Sequence, residues 1–192
     1  MAEQRRVEPA RVADDVARWD RRYAERGPLS TAEVALPARF QPFADVFPAA
    51  GHAVELACGR GAAAVWLARR GLTVWACDAS EVAITQARDL AERCGQAARC
   101  RFEVADLDAG LPPGEQADVV LCNMFRDTRL DGPIVERLAP SGILAISALS
   151  EVGSRPGRFR ARQGELSAAF EGLDVIAHGE QDGEAWLVAR RR

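Results

Sequence analysis

A chain of 192 residues can build one sizeable core and is short for two, so a single domain over residues 1–192 is expected, with a capping helix in 1–28 and the main core in 50–192. Its 48% apolar and 28% charged residues describe a globular chain, and a net charge of −3 gives no general pull toward nucleic acid or anionic lipid. Apolar runs such as Ala62–Ala68 and Gly142–Leu149 fall far short of the roughly 20 residues of a bilayer span. Met1–Pro9 lacks the apolar core of a secretory signal, so a cytoplasmic protein without membrane or nucleic-acid partner is expected. The five cysteines, Cys58, Cys77, Cys94, Cys100 and Cys122, form no Cys-x-x-Cys pair, which predicts free thiols and no metal site. The oligomeric state stays open.

Val12, Val16, Trp19 and Tyr23 recur every three or four residues, the period of one buried helix face over residues 8–26, and Gly27-Pro28 ends that helix. Residues 29–50 mix turn formers with Val34, Leu36, Phe40, Phe43, Val46 and Phe47, which predicts a loop and then a short helix on the core. From residue 52, short apolar runs alternate with helical segments in a βαβ pattern, the mark of a mainly parallel sheet. Strands are predicted at 53–56, 72–77, 101–104, 117–122 and 143–148. Helices are predicted at 62–70, from Ser80 to about Cys94, around 133–138 and at 165–170. Pro140-Ser141-Gly142 reads as a turn before the fifth strand. The last two apolar segments, 173–178 and 185–189, lie too close for a crossover and must pair as an antiparallel hairpin.

The sharpest feature is Glu55-Leu56-Ala57-Cys58-Gly59-Arg60-Gly61, between the first strand and the helix that follows. A small-residue turn there lets the backbone approach a ligand closely, in the crevice at the carboxyl ends of parallel strands. A nicotinamide fingerprint would put its glycines at Ala57, Gly59 and Ala62 and leave Gly61 unexplained. Asp78 follows the second strand, where a carboxylate can accept two hydrogen bonds from ribose hydroxyls; it would also serve as a favourable charge at a helix start.

The acid-then-alternating-glycine pattern of Glu55, Ala57, Gly59 and Gly61 resembles the class I S-adenosylmethionine-dependent methyltransferases, with Ala57 in place of the first glycine. The likeness spans roughly residues 50–190. It implies an α/β, doubly wound, Rossmann-like seven-stranded sheet with an antiparallel strand in the carboxy-terminal hairpin. It further implies S-adenosyl-L-methionine as cofactor and S-adenosyl-L-homocysteine as product. Ala105-Asp106-Leu107 matches the family's adenine position, with Asp108 as a rival to Asp106. The cofactor set implied is Glu55, Ala57, Cys58, Gly59, Gly61, Asp78, Ala79, Asp106, Leu107, Asn123 and Met124.

Asn123-Met124-Phe125-Arg126-Asp127 ends the fourth strand, where the family places residues next to the transferable methyl. Trp19-Asp20-x-x-Tyr23, Phe125-Arg126-Asp127 and Gly164-Glu165-Leu166 resemble the small tellurite-resistance and thiopurine-type enzymes. That likeness implies a first helix over the cofactor cleft, with Trp19, Arg22 and Tyr23 covering donor or substrate; as core-facing aromatics, Trp19 and Tyr23 would fit equally well. Trp19, Phe125, Arg126 and Arg158 are the substrate candidates. Asp127 and Tyr23 are the candidates for a proton acceptor, because His52 precedes the first strand and His178 lies in the hairpin. Arg155, Arg158, Arg160 and Arg162 would attract an anion or form a solvated loop face. The expected activity is methyl transfer to a small molecule such as a thiol or a chalcogen oxyanion. A non-catalytic binder of the same cofactor and a nicotinamide enzyme are the alternatives.

Overall fold

The computed structural model describes residues 9–155 and 160–192, so residues 1–8 and the substrate candidate Arg158 lie outside the described residues. Helix α1 (Pro9–Arg26) ends at Gly27, whose φ of 65° is the left-handed conformation that glycine takes without strain. The segment after it holds two 3-10 turns, Thr31–Glu33 and Gln41–Val46, where a loop and a single short helix were expected. Phe40 and Phe47 from this segment are fully buried.

Then the alternation begins: β1 (His52–Leu56), α2 (Ala62–Arg70), β2 (Thr73–Asp78), α3 (Glu81–Arg93), β3 (Cys100–Val104), β4 (Ala117–Cys122), α4 (Asp131–Arg137) and β5 (Leu138–Ser150). A two-residue β6 (Arg160–Ala161), α5 (Glu165–Ala169), β7 (Asp174–Gln181) and β8 (Glu184–Arg190) complete it. The sheet runs β3-β2-β1-β4-β5-β8-β7, with β6 paired to β5 at its side. Strands β1 to β5 are parallel, and β8 is antiparallel to both β5 and β7, as expected of this fold class. Asp182 and Gly183, with φ of 54° and 77°, make the two-residue turn of the hairpin.

Both faces of the sheet are covered, which is why its strands read as nearly unbroken apolar runs. One core joins Ala53, Val74, Ala76, Val119, Leu121 and Val188 to α2, α3 and the 29–47 segment. The other joins Val54, Leu56, Cys77, Val120, Cys122, Leu144 and Ile146 to Ile134, Leu166 and Phe170. Two expectations need correction. The turn at Pro140-Ser141-Gly142 lies inside β5, which starts at Leu138 against Ala117 and shifts register before Ile143 pairs with Val119. The chain after β5, expected as plain loop, returns to pair Arg160 and Ala161 with Leu149 and Ser150.

Strand order reverses between β1 and β4, whose last residues, Leu56 and Cys122, are in register. At that switch point the connections leave to opposite faces and open a crevice beyond the strand ends. The loop 57–61 and the segment 123–127 both begin there.

Candidate cofactor and active site

Ala57, Gly59 and Gly61 all have positive φ, 51°, 52° and 78°, so the loop alternates left-handed residues. Each glycine has a steric reason. A Cβ on Gly61 would stand 2.8 Å from the Ala87 Cβ and 3.1 Å from the Phe102 ring, so glycine is what lets α2 start against α3 and β3. This is the glycine that a nicotinamide pattern leaves unexplained. A Cβ on Gly59 would stand 2.9 Å from the Tyr23 hydroxyl. Ala57 takes the same backbone shape with a methyl group and therefore carries strain.

Asp78 ties the loop to the next helix. One carboxylate oxygen accepts the Gly59 amide at 2.8 Å and the other accepts the Ser80 amide at 2.9 Å. Burial raises its pKa, opposed by those two amides. Each oxygen keeps a lone pair for a further donor. Ala79 is half-buried beside it. Glu55 lies deeper, 4% exposed, with Oε2 lacking any partner. Burial pushes its pKa up to about 8, the Ala64 amide opposing and Asp78 adding. Buried Cys58 and Cys77 have thiols pushed up by burial, Cys77 to about 12, so neither is a nucleophile at neutral pH.

Asp106 is exposed and accepts the Asp108 amide at 2.9 Å, capping the turn that buries Leu107. Asp108 is engaged by Arg129 at 2.8 Å. Of the two rivals, Asp106 is the one without a cation partner among the described residues.

At the end of β4, Asn123 and Met124 are held by Ser147 of β5. The Ser147 hydroxyl accepts the Met124 amide at 3.0 Å and donates to Asn123 Oδ1 at 2.8 Å. Met124 has a φ of 58° and an exposed side chain, and Phe125 packs half-buried on the second core. Arg126 is 6% exposed and bridges Asp131 and Glu165, which joins this segment to α4 and α5. Its guanidinium is therefore already paired. Asp127 caps the next turn and pairs with Arg129, and that pair outweighs burial and holds its carboxyl below the usual range.

Helix α1 crosses this rim. Tyr23 faces Gly59 with its hydroxyl pKa raised by burial and by Asp78, while Trp19 stacks on it at 5.8 Å and stays 36% exposed. Arg22 lies 5.0 Å over the Trp19 ring. Trp19 is thus a surface aromatic. His52 starts β1 at the far end from the loop, and His178 lies on edge strand β7 by a cavity of about 350 Å³ between α5 and the hairpin. Arg160 donates to backbone carbonyls of Ser150 and Gly183, whereas Arg155 and Arg162 are exposed. Among the described residues no group of three or more His, Cys, Asp or Glu is arranged to hold a metal ion, and no helix is long and apolar enough to cross a membrane.

Three residues had no role in the motif reading. Asp20 contacts Ser80, Ser147 holds the β4 end, and Arg60 donates to the Gly27 carbonyl. A lone hydroxyl in the apolar run 143–149 was the available signal for Ser147.

Residues 53–138 match the model of a family described as methyltransferase domain. No curated protein matches the chain in sequence. Among solved structures it is similar to TehB from Haemophilus influenzae, at 19% identity and a TM-score of 0.71. That alignment covers 82% of this chain, which spans only 63% of TehB. It is also similar to the CcbJ methyltransferase from Streptomyces caelestis (17% identity, TM-score 0.67, 94% and 96% covered). A third likeness is to the [4+2]-cyclase SpnF (16%, 0.63, 76% and 76%). Residues 53–138 thus match a methyltransferase domain in sequence, and the chain shares the fold of the TehB and CcbJ structures, the fold that the sequence resemblance implies.

Proposed function

We propose that this chain binds S-adenosylmethionine at the Ala57–Gly61 loop and transfers its methyl group to a small-molecule acceptor chiefly by positioning. The reading rests on one observation above others: the Asp78 carboxylate accepts the Gly59 amide, so two motif positions 19 residues apart form one unit at the switch point. The residues present fit the cofactor. Gly59 leaves a cradle that a Cβ would fill, Asp78 keeps acceptor capacity for ribose hydroxyls, and Asp106 stands at the end of β3 for the adenine amino group. Leu107, Asn123 and Met124 would complete the lining, and Phe125 with Trp19 would border the acceptor. When bound, the cofactor supplies an already activated sulfonium methyl.

What the chain adds is orientation and exclusion of water. Tyr23 covers the loop with a hydroxyl that keeps its proton, and Ser147 fixes Asn123 and Met124. Asp127, ionised and paired, is a weak proton acceptor, so an acceptor that is soft or already ionised, a thiolate or a chalcogen oxyanion, suits this site. Titration calorimetry with S-adenosylhomocysteine should show binding to the parent and none to Asp78→Ala; a parent that does not bind removes the reading. The likeness to a [4+2]-cyclase favours one second reading, a cofactor-binding fold that transfers no methyl group. A methyl-release assay over thiol and oxyanion acceptors separates the two.

A further inference from the structure

The side chains of α1 from Asp14 to Arg26 are all exposed or half-buried; none joins either core. The helix nevertheless lies across the rim, and polar ties hold it there. Asp20 Oδ1 accepts the hydroxyl of Ser80, the N-cap of α3, at 2.5 Å and the Val82 amide in its first turn at 3.4 Å. Gln86 of α3 donates to the Tyr23 carbonyl at 3.1 Å, and Arg60 donates to the Gly27 carbonyl at 2.9 Å. Of these, the Asp20 and Arg60 contacts are charge-assisted, roughly twice as strong as neutral ones, and Asp20 is the one whose charge sits on α1 itself. It also closes a chain of contacts. Ser80 donates its amide to Asp78, Asp78 accepts from Gly59, and Gly59 faces Tyr23 on the same helix as Asp20.

Given the cofactor site proposed above, on which this rests, we propose that Asp20 is a positioning residue that latches α1 over the Ala57–Gly61 loop, so that the cofactor enters and leaves when this contact opens. Asp20 touches no reacting atom in this scheme. It holds Tyr23 at Gly59 through the rigid turn of helix between them.

The test measures association and dissociation rates of S-adenosylhomocysteine for the full chain, Asp20→Ala and Asp20→Asn. Asp20→Ala should raise both rates, dissociation by about tenfold, the factor that one charge-assisted hydrogen bond supplies. In Asp20→Asn the amide oxygen still accepts from Ser80 and Val82, so its rates should stay within about threefold of the parent. Trypsin should cut α1 at Arg18, Arg21, Arg22 or Arg26 faster in Asp20→Ala than in the parent, with and without ligand. Unchanged rates, a rise in dissociation alone, or Asp20→Asn behaving as Asp20→Ala would overturn the latch. A parent that binds no S-adenosylhomocysteine defeats the cofactor reading instead, and ligand-free proteolysis then decides the latch: equal cleavage of parent and Asp20→Ala overturns it.

Discussion

Replacing Glu55 by Gln should make the ligand-free protein less sensitive to alkaline pH. Burial lifts this carboxyl from 4.5 to about 8, so over that interval the folded chain keeps a proton that the unfolded chain has lost. The stability contributed by Glu55 is full below about 4.5 and declines as pH rises toward about 8, at about 1.4 kcal/mol per unit. Between pH 5 and 8 the parent should therefore lose about 3 kcal/mol relative to Glu55→Gln, as an order of magnitude. The Gln oxygen can keep the Ala64 amide, and its nitrogen falls where Glu55 Oε2 has no partner. Any cost of that unpaired group is the same at both pH values and cancels in the difference. Urea unfolding of both proteins at pH 5 and pH 8 measures it. Parallel stability profiles, or a parent that gains on Glu55→Gln as pH rises, would refute the argument that this carboxyl is held neutral by desolvation.

Ala57→Gly removes a methyl from a residue at a φ of 51°, relieving roughly 1–2 kcal/mol of left-handed strain against about 0.5–1 kcal/mol of added chain entropy. Its melting temperature should match or slightly exceed that of the parent, and a fall of several degrees would contradict the strain. Arg126→Ala leaves Asp131 and Glu165 without their shared partner; both are partly exposed, so a loss of about 2 kcal/mol in unfolding free energy is expected. Arg126→Lys should recover only part of it, for want of a planar fork. If Arg126 instead contacts substrate, stability will hold while KM rises.

Helix α2 was legible to the residue because Gly61 and Gly71 bracket it and both adopt the left-handed shape that starts or stops a helix. The hairpin was legible because two apolar segments lay too close for a crossover, and Asp182-Gly183 fills its tight turn. The start of β5 was not. Pro140 and Gly142 carry the local signal of a turn, but Ser141 and Gly142 bond to the backbone of Arg191, a partner 50 residues away that no local pattern names. The rim shows the same division. Backbone positions, the loop at 57–61 and the strand ends at Asp78 and Asp106, follow from spacing. Side-chain commitments do not: Arg126 looked free for a substrate until Glu165, 39 residues on, was placed beside it, and Asp127 looked like a base until Arg129 paired with it.

Those commitments bear on how the proposed reaction would proceed. The proton-acceptor candidates of the rim and its buried thiols are displaced in directions that suit no general base. Tyr23 is raised, so it holds its proton; Asp127 is lowered, so it does not take one up; Cys58 and Cys122 are raised by burial. Glu55 sits nearer neutrality but is buried, and desolvation favours its protonated form. His52 lies at the opposite end of β1 and His178 on edge strand β7. A methyl donor that is already activated needs no base, provided the acceptor arrives with its electron pair available. A rim of fixed amides, a covering helix held by polar ties and a hydroxyl that keeps its proton make a site suited to alignment, and acceptors needing a proton removed in the transfer step should be its poorest substrates.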